Sequence, residues 1–204
     1  MGEASRQRNT QVDPLSLKAS GTAQEVEASH PASSNTPPLI DRAERGGNIG
    51  RLLLVGGGIG IAPLVALADG ALAAGARVTL ILGAPTRDDL YPAELLPSQI
   101  KLHLATEDGS AGEKAMATDL LPGLASRFDQ VFACGPLAMY QAMSSHNSLK
   151  GKPVQVSLET RMGCGFGVCL GCAIETRQGM KLVCRDGPVF ELEDIVWAAV
   201  KGGH

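Results

Sequence analysis

Leu52-Leu53-Leu54-Val55-Gly56-Gly57-Gly58-Ile59-Gly60-Ile61-Ala62-Pro63-Leu64 passes from an unbroken apolar tetrad into a glycine turn and out into helix-forming residues. An apolar run this short, ended by glycine, predicts a strand buried on both faces. The glycine turn then opens a helix expected over 62–74. Pro63 is tolerated in its first turn, where an N–H would have no intrahelical partner anyway. Working outward, 77–82, 100–106 and 130–134 read as further buried strands. Helices are expected over 113–127, broken near Pro122, and from Gly135-Pro136 to about 145. Strands alternating with helices predict an α/β fold, a parallel sheet covered on both faces.

The flanks differ from this core. Residues 1–48 are rich in Ser, Ala, Gly, Pro, Gln and Glu, and their apolar residues follow neither a helical nor a strand period. Such a segment buries too little to offset its ordering entropy, so it is expected to be a disordered or linker segment. After Lys152 the pattern changes again. Residues 154–158 alternate as in a half-buried strand, a Gly/Cys loop follows, and 172–177 and 180–184 are strand-like. The expected division is therefore 1–48 as linker, 49–150 as an α/β domain and 151–204 as a small separate domain.

Composition narrows the function classes. Hydrophobic residues make up 44% and aromatics only 3%, so the core must come from Ala, Val, Leu and Ile. A net charge of −3 gives no footprint for nucleic acid or an anionic membrane. No apolar run approaches the roughly 20 residues that span a bilayer. The N-terminus lacks the apolar stretch of a secretory signal, and a cytoplasmic location is the expectation.

Cys164, Cys169, Cys172 and Cys184 follow the spacing Cys-x4-Cys-x2-Cys-x11-Cys. Three thiols leave one loop and the fourth arrives from a later strand, which is the plant-type [2Fe–2S] pattern. Two irons need four soft thiolates, and the bridging sulfides need a backbone that can approach closely. Gly163, Gly165, Gly167 and Gly171 interleave with the cysteines and allow that approach. A zinc site is the competing reading, but zinc sites usually pair two CxxC knuckles and one occurs here. Met162 and Phe166 flank the loop as a candidate apolar shield; local packing is the preferred reading.

Two further features carry chemistry. The Gly57-Gly58-Ile59-Gly60 turn suits phosphate binding at a helix N-terminus, where free N–H groups and the dipole favour an anion. It is not GxGxxG, because Ile61 stands at the third glycine, and the second strand ends in Gly83 instead of a ribose-binding acid. A tight turn with no ligand is the alternative. Cys134 ends a strand just before Gly135-Pro136, a position for a catalytic residue or for a buried structural cysteine. Arg87 could meet a 2′-phosphate, but Asp88 and Asp89 beside it oppose that and favour NAD. None of the four histidines has metal-ligand spacing.

Gly57-Gly58-Ile59-Gly60-Ile61-Ala62-Pro63-Leu64 and Ala133-Cys134-Gly135-Pro136 together resemble the ferredoxin–NADP⁺ reductase superfamily. The segment 157–172, with Val183-Cys184-Arg185-Asp186-Gly187-Pro188-Val189-Phe190 and Glu107-Asp108-Gly109-Ser110, is similar to the electron-transfer subunits of dihydroorotate dehydrogenase B. The resemblance implies that 49–150 binds NAD, with Gly57, Gly58, Gly60 and Pro63 at its pyrophosphate. Glu107, Asp108 and Gly109 would be further nucleotide contacts, and Cys134, Gly135 and Pro136 would lie beside the nicotinamide and a flavin. It implies a [2Fe–2S] cluster on Cys164, Cys169, Cys172 and Cys184, and FAD as a third cofactor. The implied relay runs from dihydroorotate at FMN in a separate catalytic subunit, through the cluster and FAD, to NAD⁺ in pyrimidine synthesis. A hetero-oligomer is therefore expected, with no nucleic acid and no membrane. The family's FAD-binding barrel of roughly a hundred residues is expected to be missing before Arg51, and both tyrosines lie downstream. That leaves two other readings: a diaphorase-like subunit of a hydrogenase or transhydrogenase-type complex, and a non-catalytic iron–sulfur protein.

Overall fold

A computed structural model describes residues 50–200. The expected linker at 1–48 lies outside the described residues, as do residues 201–204. The first element is β1 (Arg51–Gly57), followed by a 3₁₀ turn (Gly58–Gly60), α1 (Ile61–Ala73) and β2 (Arg77–Ala84). Then come β3 (Lys101–Thr106), β4 (Glu113–Lys114), α2 (Leu121–Leu124), β5 (Gln130–Cys134) and α3 (Leu137–Ser144). The last part holds β6 (Val154–Ser157), β7 (Ala173–Thr176), β8 (Gly179–Leu182), α4 (Val183–Asp186) and β9 (Val189–Glu191).

Seven strands form one sheet in the order β4-β3-β2-β1-β5-β6-β9. All its pairs are parallel except β6 with β9. The apolar run that opens β1 is central, and its alternation serves both faces. Leu52 and Leu54 pack under Ile61, Leu64, Ala68 and Ala71 of α1. Leu53 and Val55 face the other way, toward Leu121, Ala125 and the α3 residues Met139, Tyr140 and Met143. Both layers are needed because neither sheet face can be left in water. Chain order reverses at β1, which has β2 on one side and β5 on the other. A crevice opens at such a point outside the carboxyl ends of the strands.

The structure corrects two local expectations. The helix expected over 113–127 is instead β4, a 3₁₀ turn (Ala117–Leu120), the single turn of α2 and another 3₁₀ turn (Ala125–Arg127). The Asp119 carboxylate accepts from the Met116 N–H at 2.9 Å and starts a new turn there. Pro122, with no N–H, can only stand in a first turn, which is where it is found. Cys184 lies in α4, not on a strand, because β8 ends at Leu182, whose N–H donates to the Asp186 carboxylate at 2.7 Å.

Residues 151–204 were expected to stand apart, yet β6 and β9 extend the main sheet. The β7–β8 hairpin forms its own two-stranded sheet. No helix among the described residues is long and apolar enough to cross a membrane.

Candidate functional site

The ends of β1 and β5 are in register, Gly56 opposite Cys134. This brings the glycine turn and the Cys134-Gly135-Pro136 turn into direct contact. A Cβ on Gly60 would collide with the Cys134 carbonyl, and Gly58 holds φ +54°. Glycine at both is therefore a steric requirement of the turn. The following helix α1 has no side-chain cap and no acidic residue in its first turn. The Ile61 N–H is taken by the preceding 3₁₀ turn, donating to the Gly58 carbonyl, and Pro63 has none, so what α1 offers an anion is its positive dipole end.

A cavity of about 470 Å³ opens at this junction, within the range that holds a small-molecule ligand. Gly57, Gly58, Gly60, Glu107, Cys134, Gly135 and Pro136 line it. Pro63, Asp108 and Gly109 lie outside that lining. Pro63 sits in the first turn of α1. Asp108 shapes the loop after β3, accepting from the Ser110 N–H at 2.9 Å and its hydroxyl at 2.6 Å. Those bonds hold its carboxyl below the usual range. Arg87 is tied to the same loop, its Nε donating to the Ser110 carbonyl at 3.0 Å. A larger, shallower cavity of about 880 Å³ lies at the opposite ends of the strands, beside Arg51, Arg77 and Lys101, and holds none of the expected site residues.

Among the lining residues that the sequence did not mark as site residues are Met116, Met139 and Glu159. Tyr140 was not marked either. Its hydroxyl accepts from the Gly135 N–H at 2.8 Å and donates to the Ser157 carbonyl at 2.7 Å. Its ring rests on Trp197, with centroids 5.6 Å apart. Cys134 is half-buried, and its sulfur stands 3.7 Å from the same Ser157 carbonyl. Burial pushes its thiol pKa up. A polar-tipped aromatic on the apolar face of α3, just after a functional turn, was the available signal.

The cysteine loop begins a few residues beyond Glu159. The Cys164 sulfur accepts the N–H groups of Val168 at 3.3 Å and Cys169 at 3.5 Å. Led by the Cys169 amide, such bonds lower its thiol pKa to about 6. The Cys169 sulfur accepts from Gly171 N–H at 3.4 Å. Cys172 accepts from Cys184 N–H at 3.5 Å, which favours its thiolate. The cysteines are thereby linked in two pairs, Cys169 N–H on the Cys164 sulfur and Cys184 N–H on the Cys172 sulfur. Among the described residues no three His, Cys, Asp or Glu side chains converge on a single-ion site. Amide donors aimed at sulfurs, and thiols in pairs, fit a cluster with two thiolates per iron. Gly165 and Gly167 carry φ of +77° and +89°, which bends the loop around that volume.

Phe166 and Met162 do not pack locally as expected; they are 70% and 47% exposed. With Val168 and Leu170, also exposed, they put apolar side chains around the loop. The Thr160 hydroxyl, close before Cys164, is buried with no hydrogen-bond partner.

Comparison with known proteins agrees with this geometry. Residues 159–196 match the family model of the iron-sulfur cluster binding domain of dihydroorotate dehydrogenase B. The chain is 39% identical over 162 residues to the dihydroorotate dehydrogenase B (NAD(+)) electron transfer subunit of Bacillus cereus (strain G9842), covering 77% of this chain and 61% of that protein. The same subunit of Bacillus cereus (strain B4264) is 40% identical over 71% of this chain and 57% of its own length. The chain thus spans about three fifths of the curated relatives it matches. Among solved structures, the NADH-dependent reduced ferredoxin-NADP oxidoreductase is similar, with TM-score 0.67 and 36% identity over 73% of this chain and 55% of that one. The α/β sheet is therefore of ferredoxin-reductase type.

Proposed function

We propose, on the premise of its homology to dihydroorotate dehydrogenase B electron transfer subunits, that this chain is the electron-transfer subunit of an oxidoreductase in pyrimidine synthesis. It holds a [2Fe–2S] cluster on Cys164, Cys169, Cys172 and Cys184 and binds NAD⁺ in the cavity between the two turns. The observation that carries this reading is the gathering of the four cysteines with backbone N–H donors on three of their sulfurs, within the segment that matches the cluster-binding family model. The cluster supplies one-electron transfer when bound.

The chain's own residues then have distinct tasks. The Gly57–Gly60 turn and the start of α1 take the pyrophosphate. Glu107 puts a carboxylate beside the cavity, which disfavours a 2′-phosphate there and supports NAD over NADP. Cys134 and Gly135 close the end where the nicotinamide would lie. Amide donors at the sulfurs stabilise the added negative charge on reduction and so set the potential. FAD would stand between cluster and nucleotide in the relay. An FMN-containing dihydroorotate dehydrogenase subunit is the partner, in a cytoplasmic hetero-oligomer. In domain terms, 49–150 serves the nucleotide and 151–204 the cluster.

Co-expression with such a catalytic subunit tests the reading. Dihydroorotate-dependent reduction of NAD⁺ by the purified complex, lost in Cys169→Ser, is the expected result. A complex that oxidises dihydroorotate with artificial acceptors, takes up iron fully, and never reduces NAD⁺ would contradict it. The likeness to the NADH-dependent oxidoreductase supports a second reading, a diaphorase-like subunit of another complex. NADH-driven reduction of a different acceptor, with no complex formed with the catalytic subunit, would favour it.

A further inference from the structure

We propose that Tyr140 is a positioning residue that sets the Cys134-Gly135 turn against the cavity and ties that turn to the segment leading into the cysteine loop. The functional part of this assignment rests on the cavity being the nicotinamide nucleotide site.

The geometry is a bridge through one oxygen. The Tyr140 hydroxyl takes the Gly135 N–H and gives its own proton to the Ser157 carbonyl. Gly135 lines the cavity, and Ser157 is the last residue of β6, two positions before Glu159, which lines the same cavity. One hydroxyl therefore fixes the backbone of two elements that meet at the site. It also pairs a backbone donor and a backbone acceptor at a part-buried junction, with the Tyr140 side chain itself only 2% exposed.

Movement at this turn cannot stay local. Gly60 is packed so closely on Cys134 that a Cβ would strike its carbonyl, and a Cβ on Gly57 would stand 2.8 Å from Pro136 Cδ. A shift of Gly135 therefore displaces the glycine turn as well. The ring itself is held by Trp197, whose indole N–H is in turn committed to the Leu192 carbonyl at 2.9 Å. This braces the hydroxyl from the side of residues 192–197, beyond the cysteine loop. Ser157 presents its carbonyl to two groups, the Tyr140 hydroxyl and the Cys134 thiol. Tyr140 thereby controls how Cys134 is seated. Around Cys134 the facing ionisable groups are Tyr140 from α3 and Glu159 from the segment after β6.

Tyr140→Phe keeps the ring and removes the bridge. Trp197→Phe loosens the brace and keeps the bridge. Both are made in the full chain, purified anaerobically with its cluster. Three readouts are compared: the NADH dissociation constant, the pH profile of Cys134 alkylation mapped by mass spectrometry, and the cluster's visible spectrum. Tyr140→Phe is expected to weaken NADH about tenfold, the scale of one buried hydrogen bond. It is also expected to move Cys134 alkylation to higher pH, because the Ser157 carbonyl, freed of the Tyr140 proton, is left to accept from the Cys134 thiol and so favours its protonated form, with the cluster spectrum unchanged. Trp197→Phe is expected to leave the alkylation profile in place.

Wild-type values for both NADH binding and alkylation in Tyr140→Phe would overturn the proposal. If the wild-type chain itself binds no NADH, the nucleotide reading fails, while the alkylation profile still decides whether Tyr140 seats Cys134. Hydrogen exchange in the unmutated chain gives a check independent of whether the variant folds. The Gly135 amide must exchange as slowly as the amides of β5; exchange at the rate of an open loop would overturn the bridge.

Discussion

The Cys184 amide donates to the Cys172 sulfur at 3.5 Å, so the one-turn helix α4 and the cysteine loop meet sulfur to backbone. Cys164 has the same kind of support from within the loop, through Val168 and Cys169. Each thiol pair therefore has at least one backbone donor in place before metal arrives. This is the arrangement that lets thiolates hold charge without a neighbouring cation.

The paired geometry predicts what single substitutions do. Cys184→Ser removes one ligand of the Cys172 pair and should leave less than half of the wild-type iron and sulfide. The amide donors to Cys164 do not depend on that sulfur, so the α/β sheet should persist. Iron analysis with far-UV circular dichroism checks both statements. Full cluster content in Cys184→Ser would remove Cys184 from the ligand set.

The contact between the two turns predicts that Gly60→Ala is damaging. The new Cβ must displace the Cys134 carbonyl, an overpacking cost of about 1–3 kcal/mol. Gly58→Ala meets no neighbour but holds φ +54°, and should cost about 1 kcal/mol through strain alone. Chemical denaturation should therefore rank Gly60→Ala below Gly58→Ala. NADH affinity should fall further in Gly60→Ala, because that change moves both turns.

In the core, Leu53 is fully buried between β1 and the α2–α3 layer. Leu53→Ala should lower stability by about 2–5 kcal/mol, with a cavity that the central strand cannot collapse. An equilibrium urea titration gives the number. A loss under about 1 kcal/mol would mean that β1 is not the centre of the sheet.

The exposed pair Arg51–Asp129 should give a small acid dependence. The Asp129 carboxylate accepts the Arg51 N–H at 2.7 Å and lies 3.3 Å from its guanidinium. These hold its pKa below the usual 3.8. A carboxyl depressed in the folded state contributes stability that is complete above its unfolded pKa and is lost as pH falls through the folded value. With side chains about half exposed, the contribution at pH 7 stays under about 1 kcal/mol. Asp129→Asn should abolish that share of the acid dependence. An unchanged stability–pH curve between pH 5 and 2 would contradict it.

The sequence made the sheet legible where burial wrote continuous apolar runs, as in β1, β2 and β5. It failed where elements are too short to carry a period. β4 is two residues and β9 three, and each exists only because a longer neighbour offers its edge. Pro122 was read as a break within a helix, whereas it starts a separate turn. The cysteine spacing pointed to the proposed ligand set because three of those residues share one loop. Tyr140 and Glu159 were silent because their roles arise from β6 lying beside β5, a relation between distant parts of the chain. Phe166 looked like a packing residue from its type alone, and its 70% exposure is a property of the bent loop.

The visible absorption spectrum of anaerobically purified protein, with iron, sulfide, zinc and flavin quantified, tests the central claim most directly. The paired thiols predict charge-transfer bands of a binuclear cluster with about two irons and two sulfides per chain, bleached on reduction. A colourless protein carrying zinc on the same four cysteines would contradict it.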